Sequence, residues 1–126
     1  MRIAIEIRPG ELADRISILR LKVAHGSGGD VAKVLKQDLR DLEALAKGLL
    51  DKTDAVERHV ERLAEINAAL WELENDVRRH LETHSSGTAF AACATRIFKL
   101  NEQRSNEKAA IDRLTMGESA EAKFFT

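Results

Sequence analysis

The sequence predicts an all-α protein: a four-helix antiparallel bundle built as coiled-coil hairpins, with a short N-terminal extended arm or strand. Three observations carry that expectation. Over residues 54–83 the apolar side chains keep a heptad, with Val56, Leu63, Leu70 and Val77 at one core position and Val60, Asn67, Glu74 and Leu81 at the other. Three further segments repeat an apolar stripe at helical spacing. Between them stand short runs of Gly, Ser, Thr and Asp, which end one helix and cap the next. A helix over the heptad segment spans about 45 Å at 1.5 Å per residue, so the other helices must pack along it.

In chain order, residues 1–8 come first as the arm. Ile3, Ile5 and Ile7 alternate there with small or charged residues, which is a strand period. A lone strand needs an edge, either the tail near residues 122–125 or a second copy of the chain. An arm lying extended on the helices is the equal alternative. Pro9 opens the first helix, expected over 9–24, with Glu11 favoured in its first turn and Leu12, Ile16, Leu19 and Val23 as its buried stripe. Residues 25–29 break the chain, and Asp30 is fit to cap a second helix over 30–50. Its apolar face holds Val31, Val34, Leu35, Leu39, Leu42, Leu45 and Leu49, with Asp38 as the clear intruder.

Thr53 with Glu57, or Asp54 alone, can cap the long third helix over 54–84. Residues 85–87 end it, and Thr88 can cap a fourth helix over 88–115 that turns Phe90, Cys93, Ala94, Ile97 and Ile111 inward. Residues 116–126 are a tail whose Phe124 and Phe125 are expected to clasp the helices or a partner. All of this fits one domain, residues 1–126.

The bulk numbers exclude several classes. Twenty basic against twenty-one acidic side chains leave a formal charge of −1 in 126 residues, which argues against nucleic acid as a partner. No apolar run approaches the roughly 20 residues that cross a bilayer, so membrane insertion is not expected. The first residues lack a signal-type apolar core, and the single cysteine, Cys93, has no internal disulfide partner. A reducing cytoplasm suits such a chain.

Polar side chains interrupt the apolar faces in a line. At 100° per residue the fourth helix places Asn101, Arg104 and Lys108 with Phe90, Ile97 and Ile111. Asn67 and Glu74 intrude in the same way on the third helix, and Glu11, Arg15 and Lys22 flank the stripe of the first. Two acids against four bases would leave an interior surplus of two positive charges. An anionic ligand would relieve it, or some bases could snorkel to the rim. A register-fixing polar network explains the same residues without a ligand.

Other candidate chemistry is thin. His80 and His84 have a chelating i, i+4 spacing, but the segment reads H-L-E-T-H and no cysteine cluster completes a site. His59 reads as a partly buried helix residue and Cys93 as an apolar filler. Trp71 belongs to the core margin, with an interface anchor as the alternative. No nucleophile, acid and base assemble, and no metal or cofactor is expected.

Residues 9–22 (PGELADRISILRLK), 63–78 (LAEINAALWELENDVR) and 90–125, which include FAACATRIFKLNEQRSNEKAAIDRL and GESAEAKFF, together resemble one bacterial family catalogued as a domain of unknown function. The likeness covers nearly the whole chain except the second helix. It places that family's motif on Pro9, Gly10, Glu11, Leu12, Asn67, Trp71, Glu72, Glu74, Asn101, Arg104 and Lys108. Asn75 stands where an acid is expected, and Phe98 and Phe125 where tyrosine is usual. The resemblance implies a small helical protein encoded near glycosyltransferase and surface-polysaccharide genes, and it implies no reaction.

Two functions follow as expectations. The preferred one is a non-catalytic accessory module, dimeric or docked on a partner enzyme of glycan assembly, with Ile3, Ile5, Ile7, Trp71, Phe124 and Phe125 as contacts. The other is a small-anion or sugar-phosphate protein, possible as an enzyme, in which Arg15, Lys22, Arg104 and Lys108 hold the anion. Asn67 and Asn101 would donate to the ligand, and Glu74 or Glu11 would act as base or orienter.

Overall fold

In the computed structural model four helices follow one another: α1 (Pro9–His25), α2 (Asp30–Ala46), α3 (Asp54–Glu82) and α4 (Thr88–Met116). The residues described are 1–26, 28–84 and 87–117, and there is no strand among them. The protein is thus all-α. Residues 1–8 take neither helix nor strand, and Ile3 and Ile5 stand largely exposed. Residues 122–125, the possible edge for a strand, lie outside the described residues, as do Phe124 and Phe125.

α1 is the helix that the others share. It packs against α2, α3 and α4, while α3 runs along α4 and α2 lies chiefly against α1. Leu12, Ala13 and Ile16 of α1 meet Ala46 and Leu50, Leu63 of α3 and Ile111 of α4 in one buried cluster. Leu63 and Ile111 are completely shielded. Along α3 and α4, His59 lies level with Glu107, and Ile66 and Ala69 share a shallow groove with Arg96 and Leu100.

The heptad of α3 is buried only where α1 lies beside it. Val56, Leu63, Ile66, Asn67 and Leu70 are buried, whereas Glu74 and Leu81 are exposed. The reason is length. α1 has 17 residues against 29 in α3 and ends at His25, whose ring stacks on Trp71. Beyond Trp71 the remaining turns of α3 have no α1 beside them.

The ends of α2 differ from expectation. The helix stops at Ala46 rather than at residue 50, because Gly48 turns left-handed with φ +82°. Asp51 accepts the Gly48 N–H at 2.6 Å and Leu50 N–H returns to the Ala46 carbonyl, which turns Leu50 into the core. Val31, Val34 and Leu45, expected inside, are exposed, since α1 covers only part of the apolar face of α2. Thr53 caps α3 by accepting the Val56 N–H at 3.2 Å. Asp30 and Thr88 do not cap their helices; Gly29 and Gly87, both at positive φ, occupy those positions.

Candidate functional site

α1 is buried on two faces. One is the leucine and isoleucine stripe; the other carries Gly10, Ala13, Asp14 and Ser17, all buried. At Gly10 the absence of a side chain lets α4 come close. A Cβ on Gly10 would stand 2.3 Å from the Lys108 carbonyl oxygen, nearer than any real contact, so only glycine fits. The Gly10 N–H donates to the Asp112 carboxylate at 2.8 Å, and α4 thereby caps the first turn of α1.

One turn further on, the Asp14 side chain enters this close seam with only 2% of the residue exposed. Arg104 of α4 grips its carboxylate with both prongs of the guanidinium, Nε donating at 2.8 Å and a terminal nitrogen at 2.5 Å. Asn67 of α3 donates to the same carboxylate at 2.9 Å and to Ser17 Oγ at 2.6 Å, while Ser17 itself donates to the Asp14 carbonyl. Lys108 Nζ lies 3.8 Å from Asp14 and donates to Glu11 at 2.6 Å. Glu11 also accepts from Arg15 Nε at 3.1 Å, at the rim. Three helices are therefore pinned through one carboxylate.

The electrostatics follow from this geometry. Burial alone would raise the Asp14 carboxyl, but hydrogen bonds from Arg104 and Asn67 and the nearby cations outweigh it and hold it below the ordinary aspartate range. Glu11 is likewise held low: its burial is outweighed by the hydrogen bonds and charge of Lys108 and by Arg15. The bond to Asp14 in turn raises the Arg104 guanidinium. Both carboxylates are consequently ionised, engaged and poor proton acceptors at neutral pH.

The structure brings Asn67, Arg104 and Lys108 together, and Arg15 reaches the rim of the cluster through Glu11. Lys22 and Asn101 stand exposed outside it. Glu74 is exposed as well, though close enough to favour the charge on Arg104. The expected surplus of positive charge disappears, because Asp14 joins Glu11 as a second interior acid on α1 while Arg15 and Lys22 lie at the surface. Asp14 had a sequence signal: it sits with Gly10, Ala13 and Ser17 on a face of small residues opposite the leucine stripe. That face is what a central helix presents to a second neighbour.

Elsewhere, His59 Nδ1 and Glu107 are 2.5 Å apart, and Trp71 is half-buried with its ring 5.2 Å from that of His25. His84 falls past the end of α3 with φ +54°. Among the described residues no three His, Cys, Asp or Glu side chains gather as a metal would need. No described helix is long and apolar enough to cross a membrane.

A family model described as a family of unknown function (DUF6165) matches residues 3–123. No curated protein and no solved structure matches the chain.

Proposed function

We propose that this chain, which belongs to a family of unknown function (DUF6165), is a non-catalytic helical module that works by docking. It self-associates and serves as an accessory to a partner protein in the assembly of bacterial cell-surface glycan, on the cytoplasmic side. One observation carries the reading. The interior charges, where an anionic ligand would have to bind, satisfy one another: Asp14 with Arg104 and Asn67, Glu11 with Lys108 and Arg15. The charges of Arg104 and Lys108 are already balanced by Asp14 and Glu11, and an anion that displaced either carboxylate would leave that acid without its cation in the seam. The unsatisfied chemistry at the surface is apolar, as at Ile3, Ile5 and Phe98. The glycan context rests on the likeness of residues 9–22, 63–78 and 90–125 to that family. In this reading the module is an antiparallel bundle, supported by the contact of His59 with Glu107 and by the groove that Ile66 shares with Leu100 along α3 and α4.

Thermal melting against phosphate, sulfate, dicarboxylates and nucleotide sugars tests this, with Arg104→Ala and Lys108→Ala beside the wild type. The expected result is no anion effect on the wild type and lower melting points for both variants. Sedimentation should show the wild type heavier than its 14.0 kDa chain. A rise with one anion, absent from both variants, would instead establish a pocket; a ligand at 100 times its Kd stabilises by about 2.7 kcal/mol.

A further inference from the structure

Two grooves flank α2 where it lies on α1, and they differ in how their charges are disposed. Across the first, lined by Ala13, Ile16, Ala46 and Val60, Arg20 Nε already donates to Glu43 at 3.3 Å and bridges the two helices. Across the second, of ≈ 360 Å³, no such bridge exists. Half-buried Ile18, Leu19 and Leu42 line it, with exposed Arg15 and Lys22 on α1 and exposed Asp38 and Asp41 on α2. No ion pair within 4.0 Å joins these two rows among the described residues. At 100° per residue, Val31, Val34 and Leu45 share the Asp38 side of α2, and all three are exposed. The face is therefore an apolar strip with a basic row on one helix and an acidic row on the other.

We infer that this α1–α2 face is the docking surface for a second copy of the chain. The inference rests on the self-association proposed above and names its surface. The argument is charge complementarity under symmetry. A two-fold axis running along the helices sets α1 of one copy beside α2 of the other and preserves height along the axis. The two rows overlap along the axis: with Arg20 joined to Glu43, Lys22 comes level with Asp41, and Arg15 and Asp38 extend the rows to either side of that point. The basic row of each copy thus meets the acidic row of the other, twice over. Leu45 gains the cover that α1 of its own chain does not give it. Arg15 keeps Glu11 through Nε and still has N–H donors for a carboxylate opposite. A small ligand would need both signs of charge and an apolar body to match this surface, whereas a second copy supplies all three.

The test is sedimentation of the full chain and two charge-reversed variants, Arg15→Glu/Lys22→Glu and Asp38→Lys/Asp41→Lys. Circular dichroism confirms that each remains helical. The second variant leaves Glu11 and Asp14 untouched, so it reads the seam even if the first disturbs the buried cluster. The wild type is expected at twice 14.0 kDa and each variant alone at 14.0 kDa. An equimolar mixture of the two should recover the dimer, since both seams then join opposite rows. Variants that remain dimeric, or a mixture that fails to associate, would overturn this face while leaving self-association through another surface intact. A wild type monomeric at every concentration would overturn both.

Discussion

Replacing Arg104 with alanine removes both guanidinium prongs from Asp14 and leaves the carboxylate with Asn67 and with Lys108 at 3.8 Å. Asp14 cannot recover the loss from water, because its side chain is only 3% exposed. Breaking a buried pair by deleting one partner costs about 3–5 kcal/mol. The lower end applies here, since Lys108 stays nearby and the Arg104 side chain is itself 30% exposed. An unfolding entropy of about 2.1 cal/mol/K per residue turns a loss of about 3 kcal/mol into a fall in Tm of roughly 11 °C for this chain. Urea unfolding followed by circular dichroism at neutral pH gives the free energy directly. Two further measurements identify the cause. Arg104→Lys keeps the charge without the fork and should lose roughly half as much. The gap between wild type and Arg104→Ala should narrow as the pH falls through the depressed Asp14 pKa, because a protonated carboxyl needs no cation. A loss under about 1 kcal/mol, the scale of an exposed pair, or a gap that does not change with pH, would refute the buried-pair account.

Three other outcomes follow from the same seam. Gly10→Ala should destabilise the protein by about 2–3 kcal/mol in urea unfolding, since its Cβ meets the Lys108 backbone at 2.3 Å and the helices must part. Asp112→Ala should cost about 1 kcal/mol in the same assay, the scale of a lost helix cap, although residue 112 belongs to a different helix from the one it caps. The wild type should lose stability in acid. Asp14 and Glu11 titrate lower when folded than when unfolded, so their contribution is complete above the ordinary carboxylate range of about 3.9–4.3 and falls away as the pH drops through the lower folded values. An acid titration of Asp14→Asn should show a shallower loss over that window.

The long heptad was legible because a period held over four repeats outweighs local exceptions, and Thr53 and Gly87 mark its two ends. Arg104, Lys108 and Asn67 were legible as intruders, since a helical wheel shows a polar residue on an apolar face whatever its partner is. Asp14 was not, because the stripe of α1 was sought as a single face. A helix that serves three neighbours is buried on more than one side, and its second face consists of residues too small to register as hydrophobic. The exposure of Val31, Val34 and Leu45 was hidden for a related reason. Periodicity reports that a face is apolar, but not whether another helix of the same chain is there to cover it. The far half of α3 teaches the same point in one dimension, for the heptad continues past the end of the helix that would have buried it.

Arg104 follows Asp14 by 90 residues, and Asp112 follows Gly10 by 102. The order of synthesis gives that separation a consequence. At about 5–20 residues per second, a ribosome needs roughly 5–18 s to make the arginine after the aspartate has been joined to the chain. By the end of that interval α2 and α3 have been made, but the first helix still lacks the cation for Asp14 and the cap for its own first turn. The earliest part of the chain is thus the last to be locked, and nascent chains halted before residue 104 should be open to protease within residues 9–25, however well the heptad helix has formed.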